Sequence, residues 1–144
     1  MYVGRAIICA GLLLSLLLPG ACSSQEPDPL PRQLRLAVDA GAETFDFAAH
    51  TTVPWDRMYV FGPYTSQDRV EQVLGFAWRG YQQTSIEGFD GVCLVVFVRD
   101  GSVVHWYEQP RHIELGLLAN DTGYTPAEAR FRIEREGRIT LEPP

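Results

Sequence analysis

Residues 92–98 read Val-Cys-Leu-Val-Val-Phe-Val and are apolar at every position. A strand with one wet face alternates, whereas one that is apolar throughout has to be covered on both faces. Gly91 precedes the run and Arg99-Asp100-Gly101-Ser102 follows it. Asp-Gly between two apolar runs is the strongest short-range signal for a hairpin turn. The spacing therefore predicts a central strand over Gly91–Val98, a tight turn, and a return strand over Val103–Glu108. A chain built round such a hairpin needs material on both sides of it.

The rest of the sequence supplies candidates. Met58–Phe61 is rich in aromatic and β-branched residues and ends at Gly62-Pro63, which suits a strand. Thr65 is placed as a helix N-cap, with Asp68 near the positive helix end. Val70, Val73 and Leu74 form one stripe at i, i+3 and i+4, and Gly75 stops the helix. The expected helix over Ser66–Leu74 is too short to stand alone and must lie on a sheet. Thr44–Ala48 alternates aromatic and polar residues, as a half-buried strand does. Ala129–Glu134 and Arg138–Glu142 alternate across Arg135-Glu136-Gly137 and read as a second hairpin with one wet face. Gln33–Val38 fits either a short strand or a helical turn. Gln109–Asn120 reads as mostly irregular. The sum is an α+β fold: an antiparallel sheet of about four to six strands with a short amphipathic helix packed on one face. With 46% hydrophobic residues, the chain can form one core without disulfides.

The first residues carry a different kind of information. Arg5 precedes the apolar run Ala6–Leu18, which is shorter than the about 20 residues that a bilayer-spanning helix needs. A charged start, a short apolar stretch and then small residues is the pattern of a secretory signal peptide. Leu18-Pro19-Gly20-Ala21-Cys22-Ser23-Ser24 resembles a bacterial lipobox, with Pro19 where that family favours Leu. The resemblance implies that residues 1–21 are removed and that Cys22 becomes the lipidated first residue. It further implies that Ser23, in a place where Asp marks inner-membrane retention, directs the protein to the periplasmic face of the outer membrane. The alternative is an ordinary signal peptide cut after Ala21. Residues 22–31 contain Pro27, Pro29 and Pro31 and are read as an extended tether holding a single domain, 32–144, roughly 25–30 Å from lipid.

Charge excludes some partners. The chain has 12 basic residues, all Arg, against 18 acidic ones, a formal charge of −6. Nucleic-acid binding needs a basic face, so no nucleic-acid partner is expected. Of Cys9, Cys22 and Cys93, only Cys93 is left as a thiol in the lipoprotein reading. It lies inside the apolar run and is expected to be buried and inert. His50, His105 and His112 lack metal-ligand spacing, no Gly-rich phosphate loop is present, and no serine sits in a nucleophile elbow. No cofactor and no catalytic residue are expected. Arg130, Arg132, Arg135 and Arg138 interleave with Glu128, Glu134 and Glu136, which reads as cross-strand ion pairs on a solvated face, with an anion-recognition patch as the alternative.

Trp55-Asp56-Arg57 and Tyr64 are the residues singled out as a recognition edge, because interfaces are enriched in Trp, Tyr and Arg. The competing reading packs Trp55 under the sheet and uses Asp56 to cap a turn. This stretch, Trp55 to Thr65, resembles small uncharacterised bacterial lipoproteins with a W-D-x-x-Y-x-F-x-P-Y-T segment. That resemblance implies no activity. The expected function is a lipid-anchored, periplasm-facing envelope lipoprotein acting as a non-catalytic binding module, held to the membrane through Cys22 and contacting an envelope protein. The alternatives are an accessory subunit of an envelope assembly complex, an inhibitor of a periplasmic or foreign hydrolase, and an enzyme.

Overall fold

A computed structural model describes residues 28–141. The predicted leader and Cys22 lie outside the described residues.

The first described element is a helix, α1 (Pro29–Asp39). Asp28 caps it, its Oδ1 accepting the Leu30 N–H at 2.9 Å. Proline is well placed in a first helical turn, where its missing N–H has no intrahelical partner to lose. Two of the three prolines assigned to the tether, Pro29 and Pro31, thus belong to this helix, and the folded part begins earlier than Arg32. Leu30 and Leu34 are buried, with Ala37 and Val38 packed on the same core. That is a stripe at i, i+4, i+7 and i+8, so the helical reading of Gln33–Val38 holds. Leu36 would share a face with Leu34 and Val38 in a strand; here it points outward, 55% exposed.

Six strands follow: β1 (Thr44–Asp46), β2 (Arg57–Phe61), β3 (Val92–Arg99), β4 (Ser102–Pro110), β5 (Arg130–Ile133) and β6 (Ile139–Leu141). Two further helices are α2 (Phe47–His50) and α3 (Gln67–Leu74). The fold is α+β, as expected, with the strands divided between two antiparallel three-stranded sheets, β2-β3-β4 and β1-β5-β6. β1 stops sooner than the alternation of Thr44–Ala48 suggests. Asp46 caps α2 by accepting the Ala48 and Ala49 N–H groups, and Phe47 turns inward as its first residue.

β3 is the middle strand of its sheet and is buried at every position from Val92 to Val98. Cys93, Val95 and Phe97 face one core with Leu34, Met58 and Phe131. Leu94, Val96 and Val98 face a second with Phe61, Val70 and Trp78. The β2-β3-β4 sheet is therefore a middle layer, with α1 and the other sheet on one side and α3 on the other. Burying each of these side chains contributes about 1.5–3 kcal/mol. The hairpin turn has Asp100 at φ 49° and Gly101 at φ 71°, the two left-handed residues of a type I′ turn. Val104 has no cross-strand partner, since Phe97 pairs with His105 and Val98 with Val103, so β4 carries a bulge there.

The β5–β6 hairpin has the expected wet face. Phe131 and Ile139 are fully buried, while Arg132 lies between Thr44 and Thr140 on the outer surface. Two isolated bridges tie connecting segments together: Tyr124 pairs with Met58 of β2, and Glu114 pairs with Arg138 just before β6.

Candidate functional site

The four residues singled out in sequence do not form one edge. Trp55 is 8% exposed, and its ring meets Phe97 edge-on with centroids 5.2 Å apart. It is a core residue, because the Asp56 N–H donates to Val98 O and extends the β2–β3 ladder back to it. Asp56 fastens the β3–β4 hairpin, its Oδ2 accepting the Asp100 N–H at 3.0 Å. Arg57 is exposed and donates to the Thr122 carbonyl at 3.3 Å. Tyr64 is 64% exposed and lies beyond the far end of β2, with φ 62° and its N–H on Ile86 O. Trp55 is thus in the core, and β2 lies between it and the exposed Tyr64.

Cys93 lies where the sequence reading placed it, inside the core. Cys93 is completely buried. Its thiol is pushed up to about 11, first by burial and then by the Glu114 carboxylate 3.6 Å away. A thiol in that state supplies almost no thiolate at neutral pH. Burial also pulls the Glu114 carboxyl upward. Its bonds to Arg111 and to the Gly116 N–H outweigh that and leave it below the usual carboxylate range. The Arg111 contacts are 2.8 and 2.6 Å, and the Gly116 contact is 2.6 Å. This cluster pins the irregular segment after β4 to β3.

His105 lies on the α1 side of its sheet with its Nε2 2.6 Å from Asp28 Oδ2. His50 stacks on Phe45 and, with His105 and Asp28, borders a small cavity of about 40 Å³ at the start of α1. His112 lies elsewhere, at a groove near the other end of α1. Among the described residues, no three His, Cys, Asp or Glu side chains converge to hold a metal ion.

That groove lies between the C-terminal end of α1 and the β5–β6 turn. Its volume is about 400 Å³, and its walls include Arg35, Val38, His112, Ile133, Arg135 and Gly137. It shares Ile133, Glu134, Arg135 and Glu136 with a second depression of about 570 Å³, which Arg132 and Arg138 also border. The walls are set by local backbone geometry. Glu136 at φ 65° and Gly137 at φ 74° turn the chain between β5 and β6. A Cβ on Gly137 would come within 2.9 Å of the His112 carbonyl, so this turn can press against the neighbouring segment only with glycine there.

Arg130 reaches across to the Thr44 hydroxyl at 3.3 Å, whereas among the described residues Arg132, Arg135 and Arg138 do not make the expected ion pairs. Glu134 instead accepts the Thr140 hydroxyl at 3.1 Å, and Glu128 accepts the N–H and hydroxyl of Thr125. Among the described residues, no carboxylate lies within ion-pair distance of Arg132, Arg135 or Arg138. Arg35 is paired, with Asp39 at 3.5 Å. Sequence reasoning identified the arginine run but missed Arg35 and His112, which reach the groove from α1 and from the segment after β4.

No described helix is long and apolar enough to cross a membrane. The chain matches no protein-family model, and neither a curated protein nor a solved structure proves similar to it.

Proposed function

We propose that this chain is a lipid-anchored lipoprotein of the bacterial envelope, attached through Cys22, whose folded domain is a non-catalytic binding module for an envelope protein. The observation that carries this reading is the position of the groove beside the C-terminal end of α1, the end farther along the chain from Cys22. Asp28 is six residue steps from Cys22, a reach of about 20 Å at full extension. That bound is shorter than the spacer read from sequence. α1 then runs 11 residues, about 16 Å, from Asp28 to the edge of the groove. A site at that end stays open to the periplasm while the other end is held near lipid. Two or more acyl chains anchor stably without help from protein charge, so an acidic domain suits this arrangement. Ser23 favours the outer membrane as the location.

The reading is tested in two steps. Cys22→Ala is expected to move the protein out of the membrane fraction; full retention there overturns the anchor. In-cell crosslinking of the wild-type chain, read by mass spectrometry, is expected to recover one dominant envelope protein at fixed stoichiometry. Recovery of none overturns the binding module.

A further inference from the structure

We propose that α1 is a releasable strap: it comes off the body as a unit while the two sheets stay folded, and in doing so turns a short link to Cys22 into a long one. The release is a property of the fold alone; the lengthening rests on the lipoprotein reading.

Three observations carry it. First, α1 is lightly held. Among the described residues, no hydrogen bond runs from Pro29–Asp39 to any other helix or strand; its backbone bonds stay within the helix and the turn that follows it. The polar link to the body is a single contact at the cap, between Asp28 and His105 of β4. The apolar seam is Leu30 and Leu34, both buried, with Ala37 and Val38 packed beside them. Every strand, by contrast, is joined to a neighbour by a hydrogen-bonded ladder. Second, docking α1 leaves polar groups without partners. Gln33 Oε1 on the helix and the Tyr107 hydroxyl on β4 are buried, and no described group bonds to either. Tyr107 shares its core with Leu30 and Leu34. Burial, and after it the Asp28 carboxylate, push its phenol up, as expected of a group close to the start of α1. A buried donor or acceptor with no partner costs the full loss of its hydration. Release of α1 lets water reach both groups, which offsets part of what exposing the two leucines costs. Third, the segment suits two states. Pro29 and Pro31 fit a first helical turn, and with Pro27 they also fit the extended chain that alternate prolines favour. Eleven residues off the body do not hold a helix in water, so release yields an extended chain. The reach from Cys22 to Asp28 is about 20 Å, whereas from Cys22 to Gly41 it is roughly 65 Å. Local opening below the free energy of global unfolding is how such elements move.

The release is tested by native-state hydrogen exchange on the purified full chain carrying Cys22→Ala, so that the outcome does not depend on the anchor. Amides of residues 34–39 are expected to show protection at least a hundredfold below those of residues 94–97 in β3, with a shallower dependence on urea. One common isotherm for the two groups overturns the proposal. Tyr107→Phe deletes an orphaned hydroxyl and is expected to raise the protection of α1 at least threefold. Asp28→Ala deletes the clasp and is expected to lower it at least fivefold. Unchanged or lower protection in the first variant, or no loss in the second, would likewise overturn it. The lengthening is read on the lipidated chain in vesicles, as energy transfer from a dye at the exposed position 136 to an acceptor lipid. Transfer is expected to fall in Asp28→Ala/Leu34→Ala relative to wild type. Fast exchange of α1 with no fall in transfer removes the lengthening and leaves the release. A chain that does not bind vesicles removes the anchor and leaves the exchange result standing.

Discussion

Asp28 performs two tasks at the start of α1. One carboxylate oxygen caps the Leu30 N–H and the other meets His105. Burial alone would raise its pKa, but the His105 contact and the Leu30 bond more than offset that and hold it below the ordinary value of 3.8. A carboxyl depressed on folding stabilises the native state above its unfolded pKa and loses that contribution as pH falls through the folded one. Asp28→Ala removes both contacts and is expected to cost about 1–3 kcal/mol in urea unfolding near neutral pH. Asp28→Asn keeps a capping oxygen and removes the charge, so it is expected to cost less. Its stability deficit relative to wild type should shrink as pH falls from 5 towards 2. A deficit that persists at pH 2 would mean the charge contributes nothing. Gly123 offers a backbone counterpart. It has φ 64°, and a Cβ there would stand 2.8 Å from the Tyr59 ring and 2.9 Å from the Met58 carbonyl. Gly123→Ala is expected to destabilise by more than about 1 kcal/mol, read as a lower thermal midpoint; an unchanged midpoint would mean the Met58–Tyr124 bridge yields at no cost.

The β3–β4 hairpin shows how far elements can be read from sequence. Asp100-Gly101 specifies its turn, and the turn is of the mirror-image type that the strand twist prefers. Gly101→Ala is expected to cost about 1 kcal/mol or more, because alanine resists φ 71°; a smaller loss would mean that Asp56, and not the turn residues, sets the hairpin. α3 was nearly as legible. Val70 and Leu74 are buried as its stripe requires, and Gly75 ends it at φ 81°. The cap is Ser66 rather than Thr65, because the Thr65 hydroxyl is spent on the Gly62 carbonyl and its own carbonyl accepts the Tyr81 hydroxyl. α1 was ambiguous for a physical reason. Leu34, Leu36 and Val38 satisfy a period of two, while Leu30, Leu34 and Val38 satisfy the helical one. Only contact with Met58 and Phe131 in the same core decides between them. The candidate site was half legible. The arginines are plain in the sequence, but whether they pair depends on register across β5 and β6. That register sets Arg132 opposite Thr140 rather than opposite a glutamate.

At the scale of the whole molecule, one strand serves two cores. Leu34 belongs to the core on one side of β3 and Leu94 to the core on the other, and both are fully buried. Leu34→Ala and Leu94→Ala are each expected to cost about 2–5 kcal/mol. Because no side chain is shared between their clusters, the double variant should lose the sum to within about 0.5 kcal/mol while retaining a single transition. A biphasic denaturation curve would show that the two layers unfold separately. The same layered body gives the molecule a direction. Asp28, His50, Thr52 and His105 gather at the start of α1, and Arg135 and Glu136 lie beside its other end. Asp28 is six residue steps from Cys22, so the proposed attachment at Cys22 cannot let Asp28 stray more than about 20 Å from the acyl chains, whereas the second group can stand a helix length farther out. Nitroxide labels at Thr52 and at Glu136, both exposed positions, measure this directly in vesicles carrying a paramagnetic headgroup. Relaxation is expected to be markedly stronger at Thr52. Equal relaxation at the two sites would mean that the body tumbles about its attachment, and the arginine groove would then have no fixed outward orientation. Stronger relaxation at Glu136 would turn the groove toward lipid and overturn its proposed outward orientation.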